Sequence, residues 1–259
     1  MDLRLTGKTA IVTGASKGIG LATVRTLIGE GVRVVGAART ITPELKETGA
    51  HAVSADLSTA EGVSTLVDAA LAELGGIDLL VNNVGGVDDM TYAFLDIKDA
   101  AWTSAFDINL LSTVRTTRAA LPSLIERRGA IVNISSTVAQ LPTNAPAPYS
   151  TAKAALTALG KALSEEFGPR GVRVNTISPG LVHTAVYDDP DGQAAQMAAA
   201  SGLSTAEFVQ QIVASQNVAT GRMSKPEEIA TLVAFLLSDV AGNITGANYV
   251  IDGGTIKTV

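Results

Sequence analysis

The sequence contains no cysteine, no cluster of lysine and arginine, and no long apolar run. The lack of cysteine excludes disulfides and thiolate metal sites. The formal net charge is −6 and the basic residues are dispersed, which argues against nucleic acid and an anionic membrane as partners. No stretch approaches the roughly 18 apolar residues of a membrane span. The first seven residues resemble neither a signal nor a transit peptide, so we expect a cytoplasmic protein.

What the 259 residues do contain is a repeated alternation of apolar runs and helical periodicity. The apolar runs are short, unbroken and rich in Val and Ile, which predicts strands covered on both faces of a parallel sheet. The predicted strands are 9–12, 33–37, 50–55, 79–82, 130–134, 173–177 and 248–251. Strands that alternate with helices predict one α/β domain over residues 1–259, a doubly wound sheet with helices on both faces and right-handed crossovers.

Local signals place several helix starts and two irregular segments. A Ser followed by a Glu three residues later predicts a capping box at Ser58 with Glu61, Ser204 with Glu207, and Ser224 with Glu227. Three prolines exclude a helix interior over 141–148. The connection 182–224 is longer than the others, so we interpret it as a substrate-binding loop or lid with a helix after Ser204.

The first predicted strand ends in a glycine-rich loop, Thr13-Gly14-Ala15-Ser16-Lys17-Gly18-Ile19-Gly20. Glycines let backbone N–H groups approach a pyrophosphate closely, and the following helix N-terminus adds partial positive charge. The spacing here is G-x3-G-x-G, whereas the general dinucleotide fingerprint is G-x-G-x-x-G. Its position after the first strand of a βα series favours nucleotide binding over a simple tight turn.

The residues after the second predicted strand bear on which nucleotide binds. An acid there would accept the ribose 2′-OH and repel a 2′-phosphate. Arg39 stands at this position, and the next acid is Glu44. A guanidinium can hold a phosphate by paired hydrogen bonds, and Lys17 can add a second positive charge. The sequence therefore favours NADP(H) over NAD(H). The alternative interpretation is that Arg39 and Lys17 are solvated surface cations.

Tyr149 and Lys153 are four residues apart at a predicted helix start, so they share one face. A nearby ammonium favours the phenolate, so we expect Lys153 to lower the pKa of Tyr149. The phenol could then protonate a developing alkoxide or deprotonate an alcohol. Such a pair is common by chance, but it follows the fifth predicted strand here.

Taken together, the motifs resemble those of the short-chain dehydrogenase/reductase family, in its single-domain branch that prefers NADP(H). The resemblance covers nearly the whole chain and implies a Rossmann-like fold with seven parallel strands. The matching pieces, in the family's order, are Thr13-Gly14-x3-Gly18-x-Gly20, Asp56, Asn82-Asn83-x-Gly85, Asn109, Ser136, Tyr149-x3-Lys153 and Pro179-Gly180-x3-Thr184. Val84 departs from the family's usual Ala and adds bulk near the expected adenosine site without removing a polar partner.

The resemblance implies a catalytic role for four residues. Tyr149 would be the general acid/base, and Ser136 would hydrogen-bond the substrate oxygen; its spacing of thirteen to Tyr149 favours it over Ser135. Lys153 would bind the nicotinamide ribose and tune Tyr149. Asn109 would hold a water that links Lys153 to solvent as a proton relay.

The resemblance also implies an NADP(H) site. Asp56 would accept from the adenine amino group with Leu57 beside it, 83–85 would line the adenosine side, and 179–184 would bind the carboxamide and diphosphate. Independently, Ser, Thr and Asn gather at the carboxyl ends of the predicted strands, where open α/β sheets bind ligands. The full cofactor set comprises Gly14, Ser16, Lys17, Gly18, Ile19, Gly20, Arg39, Asp56, Leu57, Asn83, Gly85, Tyr149, Lys153, Pro179, Gly180, Val182 and Thr184.

The sequence indicates less about the substrate and the oligomeric state. The expected pocket walls at 86–89, 138–148 and 182–215 carry few charges, which favours a fairly apolar ketone or secondary alcohol, and family resemblance favours reduction. The resemblance further suggests a homotetramer, or a homodimer, built through helices around 102–124 and 149–167. Trp102 and Phe106 fit core or subunit contacts, and His51 a structural role. His183 is left open. Asp188, Asp189 and Asp191 fit a solvated turn better than a metal site.

Three alternatives remain. The first is epimerisation or dehydration, as in extended relatives; these carry a C-terminal substrate domain, whereas only a few residues follow Asp252 here. The second is an NAD(H)-dependent alcohol dehydrogenase, opposed by Arg39. The third is a non-catalytic NADP(H)-sensing protein, which need not keep Ser136, Tyr149 and Lys153 together.

Overall fold

All seven predicted strands form, and they lie in one parallel sheet. The computed structural model describes residues 1–184, 187 and 192–258. The strands are β1 Thr9–Thr13, β2 Arg33–Ala38, β3 His51–Ser54, β4 Leu79–Asn82, β5 Ala130–Ile134, β6 Arg173–Pro179 and β7 Asn248–Ile251. Their order is β3-β2-β1-β4-β5-β6-β7, and every neighbouring pair is parallel. The predicted doubly wound fold is therefore confirmed.

Helices connect the strands and cover the sheet. Those in the described ranges are α1 Gly18–Gly29, α2 Pro43–Glu47, α3 Ala60–Leu74, α4 Asp99–Phe106, α5 Ser112–Glu126, α6 Ala147–Phe167, α7 Gln193–Ala200, α8 Thr205–Ser215 and α9 Pro226–Leu237. None of the helices in the described part of the chain has the length and apolar character to cross a bilayer. The predicted helix after Ser204 is α8, and α7 precedes it.

Two apolar cores, one on each face, hold this arrangement. Successive strand residues point to opposite faces, so Val12 belongs to one core and Ile11 to the other. The first core packs β-strands against α1 and α9, through residues such as Leu27 and Val233. The second packs them against α3 and α5. Because both faces of the central strands are covered, these strands are buried along their whole length and largely apolar, as predicted, whereas the outer strands β3 and β7 are partly exposed.

The helix caps correct two of the three predictions. Ser204 accepts from the Glu207 N–H, and Glu207 accepts from the Ser204 N–H at 2.8 Å, which confirms that capping box. The other two are wrong by one residue. Thr59 caps α3 by accepting from Gly62, because Ser58 instead donates to Asp56.

The N-cap residue of α9 is Lys225, whose N–H donates to Glu228 at 2.7 Å. Glu228 therefore fills the capping-box position that was predicted for Glu227. The chain starts α9 one residue later than predicted because Pro226 occupies its first turn, where proline's missing N–H costs nothing.

Candidate active site

A cleft of about 770 Å³ opens where β1 and β4 end. In the sheet, β2 follows β1 on one side of this strand pair, and β5 follows β4 on the other side. The carboxyl ends of β1 and β4 therefore mark the point where the strand order reverses, which is where doubly wound sheets bind ligands. Of the predicted site residues, all but Gly20 and Asn109 line this cleft. The fold thus brings together Gly14, Ser16, Lys17, Gly18, Ile19, Arg39, Asp56, Leu57, Asn83, Gly85, Ser136, Tyr149, Lys153, Pro179, Gly180, Val182 and Thr184.

Gly20 lies behind the cleft and allows the loop to close. A Cβ there would lie 2.1 Å from the Gly14 carbonyl oxygen and 2.6 Å from Asn83 Nδ2. Asn83 in turn donates to the carbonyls of Thr13 and Gly14 at 2.9 and 3.2 Å, which fixes the loop against the end of β4. The first-turn N–H groups of α1, which begins at Gly18, are thereby left at the cleft, where they can receive an anion.

Two cations stand at one end of the cleft. Arg39 and Lys17 are both exposed, and within the described ranges neither side chain makes a hydrogen bond or salt bridge. Thr40 and Ser16 lie between them, and the Ser16 hydroxyl donates to the Thr40 carbonyl at 2.6 Å. This end of the cleft therefore offers free positive charge on a hydrogen-bonded loop, which suits a phosphate group.

Asp56 lies next along the cleft and is held in one orientation. Its Oδ1 accepts from the Ser58 N–H at 3.0 Å and from the Ser58 hydroxyl at 2.8 Å. These bonds lower the pKa of the carboxyl group, and Arg39 adds a smaller effect in the same direction. Within the described part of the chain, Oδ2 has no donor and remains able to accept from a bound molecule. Leu57 is buried beside it.

The two candidate serines differ in their surroundings. The Ser135 hydroxyl donates to the Lys153 carbonyl at 3.0 Å and lies 2.8 Å from the Thr157 hydroxyl, so it fastens β5 to α6. The Ser136 hydroxyl accepts only a 3.3 Å bond from the Val138 N–H and interacts with Tyr149. Ser136 is thus the serine whose hydroxyl faces the phenol, as the spacing favoured.

Tyr149 and Lys153 lie in the first two turns of α6. Lys153 is 3% exposed, and its Nζ donates to the Ile134 carbonyl at 2.9 Å and lies 5.8 Å from the Tyr149 ring centroid. Burial lowers the pKa of Lys153 to about 8. Burial also raises the pKa of Tyr149, and the Ser136 hydrogen bond offsets this only in part. The expectation of a lowered pKa for Tyr149 is therefore wrong, because desolvation of the phenolate dominates.

Asn109 lies in a π-helical turn, Asp107–Leu111, that joins α4 to α5. Its Nδ2 donates to the Ala105 carbonyl at 2.9 Å, in place of a regular backbone bond, and to the Gly86 carbonyl at 2.9 Å. Its Oδ1 accepts from the Gly86 N–H at 3.0 Å. Asn109 is fully buried and so anchors the loop after β4. Such turns are frequent at functional sites.

Gly85 connects Asn109 to the cleft. A Cβ on Gly85 would lie 2.7 Å from Asn109 Oδ1 and 3.0 Å from Lys153 Nζ. The bare glycine thus leaves a space that both polar groups border. The residues present fit a nicotinamide dinucleotide: anion-binding N–H groups, free cations, an oriented carboxylate and this space lie along one continuous cleft.

The turn that follows β6 forms the opposite wall. Pro179, Gly180, Val182 and Thr184 line the cleft, and Thr184 also borders a second cavity of about 940 Å³ between α1, α8 and the start of α9. His183, which the sequence left open, lines that second cavity and lies 5.5 Å from the Tyr187 ring. His183 therefore faces away from Tyr149's side of the turn.

Several cleft residues were not among the predicted catalytic and cofactor-binding residues, although Val84, Gly86 and Asp88 fall in segments expected to line the site. The cleft is also lined by Ala37, Ala38, Thr40, Thr42, Ala55, Ser58, Val84, Gly86, Asp88, Ser104, Asp107, Ile108, Ile134 and Ser135. Most adjoin a predicted residue, and adjacency is the signal that could have found them. Ser104, in α4, adjoins no predicted site residue, and Asp107 begins a π-helical turn that has no evident sequence signal, so neither could be found this way.

The remaining predicted positions fall outside the cleft. His51 is exposed at the start of β3, and its Nδ1 lies 3.6 Å from Glu73. Trp102 is half-buried and contacts Phe106 and Phe94, with ring centroids 6.5 and 6.3 Å away. The acidic group Asp188, Asp189 and Asp191 lies outside the described residues.

Comparison with known proteins agrees with this geometry. The family model described as Enoyl-(Acyl carrier protein) reductase matches residues 14–255. The chain is 36% identical to D-threitol dehydrogenase of Mycolicibacterium smegmatis, over 99% of this chain and 96% of that protein. It is 33% identical to a 3-oxoacyl-[acyl-carrier-protein] reductase of Vibrio cholerae, over 97% and 98%.

Among solved structures, L-sorbose reductase from Gluconobacter frateurii, complexed with NADPH and L-sorbose, matches with a TM-score of 0.92 and 32% identity over all of both chains. The chain belongs to the short-chain dehydrogenase/reductase family, and it is an oxidoreductase of alcohols and ketones.

Proposed function

We propose that this protein is an NADP(H)-dependent reductase that converts a ketone to a secondary alcohol, and that catalyses the reverse reaction when alcohol is supplied. The observation that carries the proposal is one cleft in which Ser136, Tyr149 and Lys153 lie together with Arg39 and the glycine-rich loop. A nucleotide-sensing protein would need only Arg39 and the glycine-rich loop.

The cofactor would lie along the cleft with its phosphates at the N-terminus of α1. The 2′-phosphate would meet Arg39 and Lys17, and the adenine amino group would donate to the free oxygen of Asp56. The turn from Pro179 to Thr184 would take the nicotinamide end. When bound, the cofactor supplies or accepts the hydride, while the protein orients it and handles the proton.

The proton would come from Tyr149. Its raised pKa keeps the phenol protonated at neutral pH, which suits a general acid. In reduction, the phenolic O–H bond breaks and its proton passes to the carbonyl oxygen, which the Ser136 hydroxyl holds by a hydrogen bond. In oxidation, the phenolate takes the alcohol proton, so that direction would become faster as the pH rises.

Lys153 would bind the nicotinamide ribose and stabilise the phenolate that reduction leaves behind. Its pKa of about 8 keeps it mostly cationic at neutral pH. A proton must then return to Tyr149. Asn109 would hold a water next to Lys153 for this purpose, and the nearness of Asn109 Oδ1 and Lys153 Nζ to the space beside Gly85 supports that role.

The substrate would be a fairly apolar ketone. Val138 and Leu141 lie on the segment between Ser136 and Tyr149, and exposed apolar side chains at Val87 and Met90 follow the loop after β4. The region 182–224 would cover the substrate as a loop or lid. Asp88, whose carboxylate accepts from Ser104 at 2.8 Å, is the one feature that favours a hydroxylated substrate instead.

A homotetramer or homodimer is also proposed, built through α4 to α6. The supporting observation is that no residue of α4 is fully buried, while Phe94 and Leu95 beside it are 69% and 95% exposed. Apolar surface of this kind commonly marks an interface. A cytoplasmic location remains a prediction from the sequence.

The decisive experiment is a titration with NADPH and NADH, comparing the wild type with Arg39→Asp and with Arg118→Asp as a control on an exposed arginine of α5. We expect Arg39→Asp to weaken NADPH binding by about 10- to 100-fold, as for the loss of a charge-assisted hydrogen bond, and to leave NADH unaffected or improved. Unchanged selectivity would contradict the NADP(H) assignment. Absence of binding by either nucleotide would contradict the oxidoreductase proposal itself.

A further inference from the structure

Arg115, on α5, joins two walls of the cleft without lining it. One guanidinium nitrogen donates to the Ser58 carbonyl at 2.6 Å. The other donates to the Asp107 carboxylate at 3.2 Å. Both partners line the cleft, whereas Arg115 is not among its lining residues in the described ranges. Arg115 therefore spans from the loop after β3 to the π-helical turn.

The Ser58 end of this link controls Asp56. The Ser58 N–H and hydroxyl both donate to Asp56 Oδ1, so the position of Ser58 sets the direction of the free carboxylate oxygen. Arg115 holds the Ser58 carbonyl from the other side. Ser58 is thus fastened between a carboxylate that faces the cleft and a guanidinium behind it.

The Asp107 end controls the opposite wall. Asp107 is the first residue of the π-helical turn, and its neighbour Ile108 lines the cleft. The Asp107 carboxyl side chain is only 31% exposed and the Arg115 side chain 27%, so the pair is partly shielded from solvent. Without the ion pair to Arg115, the Asp107 side chain is free to move, and the π-helical turn can move with it.

We propose that Arg115 is a positioning residue for the adenosine half of the cofactor. By tying Ser58 to Asp107, it fixes the spacing between the Asp56–Leu57 side and Ile108, between which an adenine ring would lie. This inference rests on the proposed function. Lysine cannot replace Arg115 fully, because one ammonium group cannot present the two diverging donors of a guanidinium.

The test is to measure binding of cofactor fragments by calorimetry. The fragments 5′-ADP and 2′,5′-ADP carry the adenosine half, and reduced nicotinamide mononucleotide carries the other. We expect Arg115→Met to weaken both adenosine fragments by about tenfold, the usual effect of losing a hydrogen bond to a charged group, with the nicotinamide fragment unchanged. Arg115→Lys should recover part of this loss.

Arg118→Met is the matched control, since Arg118 is exposed on the same helix and has no role in the cleft. Asp107→Asn gives a second variant, with an expected loss in the same direction, should Arg115→Met fold poorly by urea denaturation. Equal binding of the adenosine fragments by Arg115→Met and Arg118→Met would overturn the inference alone, as would equal loss of both cofactor halves. Failure of the wild type to bind any fragment would overturn the proposed function as well.

Discussion

The two ends of the sheet both carry polar side chains, but these differ in whether the protein itself satisfies them. At the amino ends, the Thr9 N–H and hydroxyl both donate to the Asp78 carboxylate, and the Arg173 guanidinium donates to main-chain carbonyls. At the carboxyl ends, the Arg39 guanidinium has no hydrogen-bond partner in the described part of the chain, and one oxygen of Asp56 is free. Binding capacity therefore resides in the polar groups that folding leaves unused.

Two arginines make the comparison sharp. Arg173, at the start of β6, donates to the carbonyls of Leu236, Leu237, Ser238 and Ile244 at 2.7–3.3 Å and so caps the end of α9. Arg39, just beyond the end of β2, donates to none. Both are arginines at the end of a strand, so residue type and position alone do not separate the capping arginine from the one available to a phosphate.

The largest effect that would test this difference is on catalysis. Tyr149→Phe should lower kcat by about 10²–10⁴-fold, the usual contribution of a general acid. Its free energy of unfolding should change by less than about 1 kcal/mol, because Ser136 is the one hydrogen-bond partner of the hydroxyl among the described residues. Steady-state rates with a ketone panel and urea denaturation measure the two quantities.

Tyr92→Phe serves as the control, since Tyr92 is exposed and away from the cleft lining. If Tyr149→Phe reduced every active ketone as fast as the wild type, the phenol would not be the acid. The nucleotide-sensing alternative would then gain support. A loss of stability without a loss of rate would place Tyr149 with the structural groups at the other end of the sheet.

The next effect is on stability, at the amino end. Arg173→Met should lower the free energy of unfolding by about 3 kcal/mol, because several carbonyls at the end of α9 lose their donor in a mostly buried position. NADPH affinity should stay within about twofold, since no cleft residue is touched. Urea denaturation at fixed protein concentration and nucleotide titration check the two halves.

Arg33→Met is the companion variant. Arg33 starts β2, at the same amino end of the sheet, but its side chain is largely exposed and donates to one carbonyl, that of Glu73. Its loss should cost less than about 1 kcal/mol. Should Arg173→Met weaken nucleotide binding and leave stability unchanged, the division between the two ends would be wrong.

How far the sequence could predict the protein follows from the same division. Strands and cleft residues were predictable because apolar runs and loop motifs are local patterns, and nearly every predicted site residue lines one cleft. Asn109's π-helical turn and the Arg115 link were not, since each depends on side-chain bonds between segments far apart in the chain. The predicted helix starts at Ser58 and Ser224 were each wrong by one residue for a smaller reason. Thr59 caps α3 in place of Ser58, and Pro226 occupies the first turn of α9.

The pKa of Tyr149 shows a further limit. The sequence reveals that a lysine lies one helical turn away, which favours a lowered pKa, but it does not reveal burial. Burial acts in the opposite direction and dominates here. The sign of such a shift depends on how much solvent the fold removes, which is a property of the packed structure.

The smallest effect distinguishes the half-buried Arg173 from the buried Lys153. Arg173 has several carbonyl partners, whereas Lys153 Nζ has one, the Ile134 carbonyl, in the described part of the chain. Burial lowers the pKa of Lys153 from 10.5 to about 8. Below pH 8 both folded and unfolded chains carry the ammonium, and the folded chain bears the full cost of burying it. Between pH 8 and 10.5 the unfolded chain binds more protons, so stability should rise with pH.

Measured as a difference, this contribution can be isolated from all other titrations. The free energy of unfolding of the wild type minus that of Lys153→Met should rise by about 2 kcal/mol between pH 7.5 and 10. The same difference for Lys161→Met, an exposed lysine of α6 paired with Glu165, should stay flat. A flat difference for Lys153 as well would mean that the fold fully compensates the cost of burying its ammonium. The carboxyl end of the sheet would then hold no strained charge for a bound ribose to relieve.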